Sequence, residues 1–280
     1  MSGRLLFCAT PIGNLGDISV RAVEALRSAH AIYAEDTRRT RILLEHYGVQ
    51  CPLRSCHAHN ERERAAEIVQ RVLLGETVVY VTDAGTPCVS DPGRTLLHVA
   101  LEAGVEPSVL PGPSALVAAV SLAPLDVEGR FAFYGFPPRR PKARREHFAE
   151  ALARTIQGVW YESPHRLPET LADICAIGRE SRSAAVAREL TKIHEEVVRG
   201  TVAELLAHFT AHPPRGEVVL TVEGAIAETA EQDALEAAVQ EVKRRCLSGE
   251  QTSSAVTTVA AVSGVGRSRL YRAVLAERRE

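Results

Sequence analysis

Residues 77–93, TVVYVTDAGTPCVSDPG, constrain the fold of this chain more than any other stretch. Val78, Val79, Tyr80 and Val81 form an unbroken β-branched and aromatic run, the composition of a strand covered on both faces in a parallel sheet. Asp83, Ala84, Gly85, Thr86 and Pro87 cannot extend that strand. Asp91 followed by Pro92 predicts a helix start, with the carboxylate as N-cap and proline at the first helical position. The order is therefore strand, loop, helix. Such loops lie at the carboxyl ends of sheet strands, where open α/β folds bind ligands, and glycine there lets backbone approach a ligand closely. An ordinary capped connection has the same order, but this loop is long, holds two prolines, and has two counterparts.

The first counterpart follows a short apolar strand, Leu5, Leu6, Phe7, Cys8 and Ala9, and contains Thr10, Pro11, Gly13, Asn14 and Gly16. The second follows Val109 and Leu110 and runs Pro111, Gly112, Pro113, Ser114, Ala115 into a helix of small residues. Between them, a helix is expected from Ser19, and a strand at 31–34 leads into Glu35, Asp36, Arg38, Arg39 and Arg41. That charge cluster fits either ligand contact or a solvated helix start. Asn60 and Glu63 fit a capping box before Ala65, Ile68, Val69 and Val72, which leaves His57, His59 and Glu61 in a loop and first turn. Leu96, Leu97, Ala100 and Leu101 give a helix face that Gly104 terminates. These elements define one α/β domain over residues 1–123.

Several ligand classes are excluded or disfavoured. The chain has no G-x-G-x-x-G loop, no G-x-x-x-x-G-K-[ST] phosphate loop and no G-x-S-x-G elbow. A dinucleotide fold and the common glycine-loop class of methyltransferase are thereby disfavoured. With a net charge of -2, nucleic-acid contact has to come from local patches. The six cysteines form no C-x-x-C pair and read as free thiols. Cys51, Cys56, His57 and His59 bring together four ligand types at a spacing unlike that of common zinc sites, so no metal is assigned. No apolar run approaches the roughly 18 residues of a membrane span, and the N-terminus lacks a signal-peptide pattern; a cytoplasmic protein is expected.

A second α/β domain is expected over 124–226. Phe131, Phe133, Tyr134 and Phe136 alternate as a strand, and PPRRPKARR then packs five basic residues into nine. That run is either a solvated loop or a phosphate-holding surface. GVWYE, AAVAREL, HEEVVRG and GEVVLTVEG read as strands of a mixed sheet, with helices after Arg166 and at TVAELLAHF. Arg188, Glu189, Thr191, Lys192 and Glu195 crowd charge onto one strand end, as a salt-bridged edge or an interdomain site. Residues 227–280 are expected to be helical: one helix at 235–246, then two around Ser263-Gly264-Val265-Gly266 in a helix-turn-helix pattern.

The motifs TPIGNLGDIS, AEDTRRTRILL, HNE, TDAGTPCVSDPG, PGPSALVAA, FYGFPPR, ESPHRL and RELTKIHEEVVRG together closely resemble the 16S rRNA ribose 2'-O-methyltransferase I family, within the tetrapyrrole-methylase superfamily. The resemblance spans nearly the whole chain. It implies a two-domain α/β tetrapyrrole-methylase-like fold with a small helical extension, a homodimer, and S-adenosyl-L-methionine bound between the domains without the common glycine-rich loop. It further implies cofactor contacts from Pro11, Gly13, Asp83, Gly85, Thr86, Pro87, Val89, Ser90, Ser114 and Ala115, with Phe136, Leu190 and Thr191 closing the pocket. The implied substrate is a cytidine ribose in the decoding region of 16S rRNA, in the small ribosomal subunit.

Methyl transfer from a sulfonium is an in-line displacement, so alignment and exclusion of water dominate, and a weakly acidic ribose hydroxyl gains from a base or a nearby cation. Asp36, His59, Glu61, Glu189 and Lys192 are the candidates at strand ends. Glu61 or His59 is favoured for proton removal and Lys192 for stabilising developing negative charge. Arg38, Arg39, Arg41, Arg139, Arg140, Lys142, Arg144 and Arg145 are expected to contact RNA phosphates. Two rivals stand beside this reading: a tetrapyrrole methyltransferase, for which the basic run and the helical tail have no use, and a non-enzymatic nucleic-acid-binding protein, which leaves the three loops without a purpose.

Overall fold

A computed structural model of the chain describes residues 3–123, 125–126, 128–225 and 227–277. Its first sheet contains β1 (Arg4–Cys8), β2 (Ala31–Ala34), β3 (Leu53–Ser55), β4 (Thr77–Val81) and β5 (Ser108–Leu110), in the order β3-β2-β4-β1-β5 and all parallel. β4 lies between β2 and β1, with Val78 opposite both Ala31 and Leu5, which explains its unbroken apolar run. Leu5, Phe7, Val78 and Tyr80 pack on α3 (Glu61–Leu73) and α4 (Arg94–Glu102). On the opposite face, Leu6, Cys8, Val79 and Val81 pack on α1 (Val20–Ser28) and α2 (Thr37–His46). Ser19 caps α1 and Asp36 caps α2 through their side chains.

Two helix starts differ from expectation. α4 begins at Arg94 with Gly93 as N-cap, so Asp91 and Pro92 stay in the loop. The reason is tertiary: Glu61 Oε1 accepts from Gly93 N and Leu96 N, at 3.0 Å each, and supplies from another helix the acceptor expected of Asp91. Asn60 makes no side-chain cap to α3; its Oδ1 accepts from His57 N at 2.8 Å and closes the preceding turn.

The second sheet holds β6 (Phe131–Phe133), β7 (Gln157–Glu162), β8 (Ser183–Arg188), β9 (Glu196–Thr201) and β10 (Val218–Val222), ordered β6-β7-β10-β8-β9. β6 is parallel to β7 and the other pairs are antiparallel. One face packs Trp160, Val186 and Leu220 against α6 (Pro141–Ala151), α7 (Leu167–Ala176) and α8 (Val202–Ala211). The other face, through Val159, Ala187, Leu190 and Val219, meets Ile12 and Ala119 of the first domain. Ala119 lies on α5 (Ala115–Leu122). The basic run therefore starts a helix at Pro141 rather than forming a plain loop. Arg144 within it is 2% exposed, with Nε 2.7 Å from Asp173 Oδ2. This corrects the expectation that Arg144 contacts RNA: its guanidinium neutralises Asp173 inside the domain.

The tail comprises α9 (Ala227–Leu247), α10 (Thr252–Ser263) and α11 (Arg267–Glu277). Val239, Val242, Val256, Val259, Leu270 and Val274 form a core drawn from these three helices alone. Gly264, at φ 72°, ends α10 in the left-handed conformation that glycine adopts without penalty. No helix among the described residues is long and apolar enough to cross a membrane.

Candidate active site

The three glycine-proline loops converge at the carboxyl edge of the first sheet. Thr10 N donates to Gly85 O at 2.9 Å and Gly85 N to Thr10 O at 3.0 Å, an isolated antiparallel bridge between the loops after β1 and β4. Ala9 N donates to Leu110 O at 3.1 Å and Thr86 Oγ1 to Pro113 O at 3.2 Å, which ties in the loop after β5. Gly85 sits at φ 78°, as this crossing requires. Cys88 and Ser90 adopt φ 70° and 63° without being glycine. Such conformations persist only where surrounding structure imposes them, and they concentrate at functional sites.

These loops form one wall of a cleft of about 330 Å³. Ile12, Ala84, Val89, Ala115, Phe136 and Val219 line it with apolar surface; Asp83, Ser90, Asp91, Ser114, Ser163 and Glu217 add polar groups. Phe136, Tyr161, Ser163, Pro164 and residues 216–219 come from the second domain, so the cleft lies between domains. Of the expected cofactor residues, Asp83, Gly85, Thr86, Val89, Ser90, Ser114, Ala115 and Phe136 line it. Pro11, Gly13, Pro87, Leu190 and Thr191 do not. Gly13 instead seats the domains together: a Cβ there would lie 2.8 Å from Leu190 O and 2.9 Å from Thr191 Oγ1 and would run into Lys192.

The cleft is acidic. Asp83 accepts from Asp36 N at 2.9 Å and stands 3.7 Å from Arg39 Nε. Burial and the Asp83 charge push the Glu35 carboxyl up. Burial, reinforced by Glu35, Asp83 and Glu217, raises Asp91 to about 7. Burial also pushes the Tyr161 hydroxyl up. An apolar slot edged with carboxylates suits a cofactor that carries an aromatic base, a sulfonium and an amino group, since the two cations find opposite charge in a partly desolvated site.

The structure does not bring the expected catalytic set together. Glu61 is buried and capping α4, so its carboxylate is not offered to the cleft; the expectation of Glu61 as a base is corrected on that ground. His59 is exposed in the turn before α3 and lies outside the cleft lining. Lys192 is held between Glu189 Oε1 at 2.8 Å and Glu217 Oε2 at 3.6 Å, next to the cleft rather than in it. Asp91, Tyr161 and Glu217 are cleft residues that the sequence reading missed. Asp91 carried a signal, in a loop already marked for ligand binding, that its cap-like context masked. Among the described residues, no group of three metal-ligand side chains is placed to hold an ion.

The family described as Tetrapyrrole (Corrin/Porphyrin) Methylases matches residues 4–206. A Xylella fastidiosa protein named Ribosomal RNA small subunit methyltransferase I is 44% identical over 274 residues, covering 96% of this chain and 98% of its own length. The chain belongs to this methyltransferase family. An Escherichia coli O157:H7 relative of the same name is 39% identical over 277 residues, 98% of this chain and 95% of its own. A Thermotoga maritima relative with that name is 41% identical over 222 residues, which is 99% of its own length but 79% of this chain. Among solved structures, a cobalt precorrin-4 methyltransferase has a TM-score of 0.62 at 16% identity, covering 79% of this chain and 95% of its own. A diphthine synthase has a TM-score of 0.58 at 19% identity, covering 80% and 90%. These structures share the fold. S-adenosylmethionine is the methyl donor of this family of methyltransferases.

Proposed function

We propose that this methyltransferase holds S-adenosyl-L-methionine in the interdomain cleft and methylates the ribose 2'-oxygen of a cytidine in the decoding region of 16S rRNA, on the small ribosomal subunit. The observation that carries the reading is the conjunction of the cleft, formed by three mutually bonded loops, with relatives 38–44% identical that bear the small-subunit rRNA methyltransferase name. When bound, the cofactor supplies a methyl group on a positively charged sulfur. The protein contributes placement: Asp83 and Glu217 favour the cofactor's positive charges, Phe136 and Val89 cover its apolar parts, and the loops exclude water.

The RNA approaches from the rim. Arg38, Arg39 and Arg41 on α2 and Arg139, Arg140 and Lys142 at the start of α6 are exposed, while Arg145 is 43% exposed and paired with Asp173 at 2.8 Å. Arg39 also lines the cleft, so it bridges rim and site. The exposed α10–α11 pair offers Arg267 and Arg272 as further phosphate contacts. The enzyme acts in the cytoplasm as a homodimer. The dimer surface draws on Val109, Val117, Leu122 and Phe131, apolar side chains 37–58% exposed that a second copy would cover.

Incubation of small subunits lacking ribose methylation with methyl-labelled cofactor tests this, with naked 16S rRNA and a tetrapyrrole acceptor in parallel. Label on subunit RNA is expected. Label on the tetrapyrrole alone would keep the fold and cofactor and overturn the substrate.

A further inference from the structure

The cleft contains several carboxylates, and all but one are already engaged. Asp83 accepts a backbone N–H and faces Arg39. Glu217 is ion-paired to Lys192 at 3.6 Å. Glu162 is buried, accepting from Ser163 N at 2.7 Å and Thr170 Oγ1 at 2.6 Å. Asp91 lines the same cleft, and among the described residues its carboxylate has no hydrogen-bond or ion-pair partner. Its backbone is fixed on both sides. Cys88 and Ser90 before it are left-handed, Cys88 N donates to Pro92 O at 3.2 Å, and Gly93 after it sits at φ 120° where a Cβ would lie 2.9 Å from Cys88 Sγ. A loop under such constraint presents one unengaged carboxylate to the space between the domains, an arrangement that helix capping does not explain, because Glu61 does the capping.

We propose that Asp91 is the general base of the reaction, accepting the ribose 2'-hydroxyl proton as that oxygen takes the methyl group. The inference rests on the ribose-methylation reading above. In the balanced step, the 2'-oxygen forms a bond to the methyl carbon, the carbon–sulfur bond breaks with its electron pair remaining on sulfur, and the hydroxyl proton passes to an Asp91 oxygen. The positive charge of the sulfonium is thereby discharged and Asp91 ends protonated. The groups facing Asp91 set its basicity. Glu35 after β2, Asp83 after β4 and Glu217 before β10 repel a second negative charge, Tyr161 of β7 adds a hydroxyl, and Arg39 of α2 lines the same cleft. Cys88 and Arg94 flank its loop, Arg94 Nη2 donating to Cys88 O at 3.3 Å. Burial leads these effects and places the carboxyl near 7, where a base is half available at neutral pH and strong enough to draw a proton.

The test compares wild type with Asp91→Asn on unmethylated small subunits, together with cofactor binding by calorimetry and direct titration of the carboxyl by 13C NMR, assigned by its loss in the variant. Removal of a general base is expected to lower single-turnover rate by about 10²-fold or more, to abolish the rise of rate with pH around 7, and to change cofactor Kd less than about threefold, which also shows that the variant is folded. The NMR signal should titrate near neutrality. A single-turnover rate within threefold of wild type would overturn the assignment, as would a slowed variant that kept the pH limb. A tenfold weaker Kd with an unchanged rate would make Asp91 a cofactor-binding residue instead. Wild type that bound cofactor yet transferred no methyl to subunits would overturn the substrate reading and the base together, an outcome distinct from wild-type transfer that the variant matches.

Discussion

Glu61 and Arg144 show how one residue type can be read for chemistry and used for architecture. Glu61 Oε1 satisfies two backbone N–H groups that open α4. Glu61→Ala leaves them buried without a partner, and unfolding in urea should show a loss of about 1–3 kcal/mol, with Glu61→Gln losing less because an acceptor remains. Arg144→Ala leaves the Asp173 carboxylate paired with Arg145 alone and should cost about 1–3 kcal/mol for the lost buried hydrogen bond, while leaving RNA affinity of the surviving folded protein unchanged. Arg139→Ala and Arg140→Ala should do the reverse, leaving stability intact and flattening the slope of log K against log salt by about 0.7–0.9 for each phosphate no longer neutralised. At Gly13 the constraint is space. Gly13→Ala pushes a methyl into the Leu190 carbonyl and Lys192, so overpacking of about 1–3 kcal/mol should appear as weaker cofactor binding as the domains part.

Among elements, β4 and the three loops were legible in the sequence because their signals are local. A run of Val78 to Val81 has no solvated face, and Gly85 with its neighbouring prolines ends a strand wherever it occurs. What local pattern could not show was who caps α4, since Glu61 and Gly93 are 32 residues apart. The same holds for Arg144, whose partner Asp173 is 29 residues away on α7. Asp91 was misread for the same reason: with a distant cap hidden, an Asp-Pro pair reads as a helix start. The helical tail holds its own core, and the Thermotoga maritima relative aligns over 99% of its length with only 222 residues of this chain, about the length of the two sheet domains. Deletion of residues 227–280 is therefore expected to leave cofactor affinity within about threefold of the full chain while weakening subunit binding; loss of cofactor binding would show that the tail supports the cleft. α5 exposes Val117 and Leu122, and in the proposed homodimer Val117→Lys should shift sedimentation from dimer to monomer; sedimentation as a monomer before the substitution would contradict that proposal.

For the molecule as a whole, activity and stability oppose each other at the cleft. Asp91 has an ordinary carboxyl value of 3.8 when unfolded and about 7 when folded. A raised folded value means that its contribution is fully present below about 3.8 and is lost as pH rises through 7. Asp91→Asn, which cannot ionise, should therefore be more stable than wild type in the absence of cofactor, by a margin that grows as pH rises from 3.8 to about 7 in urea unfolding and is level above that. A constant margin would show that the carboxyl titrates normally. In the proposed function, three loops at a parallel sheet edge, a mixed second sheet and a basic rim form one device: an acidic slot for a cationic cofactor within a surface that would meet a polyanion. The account is tested most directly by mass spectrometry of 16S rRNA from small subunits that lack the modification, before and after incubation with this protein and S-adenosylmethionine. It predicts a gain of one methyl group on the ribose of a single decoding-region cytidine; a methyl on a base, or RNA unchanged by a cofactor-bound enzyme, would contradict it.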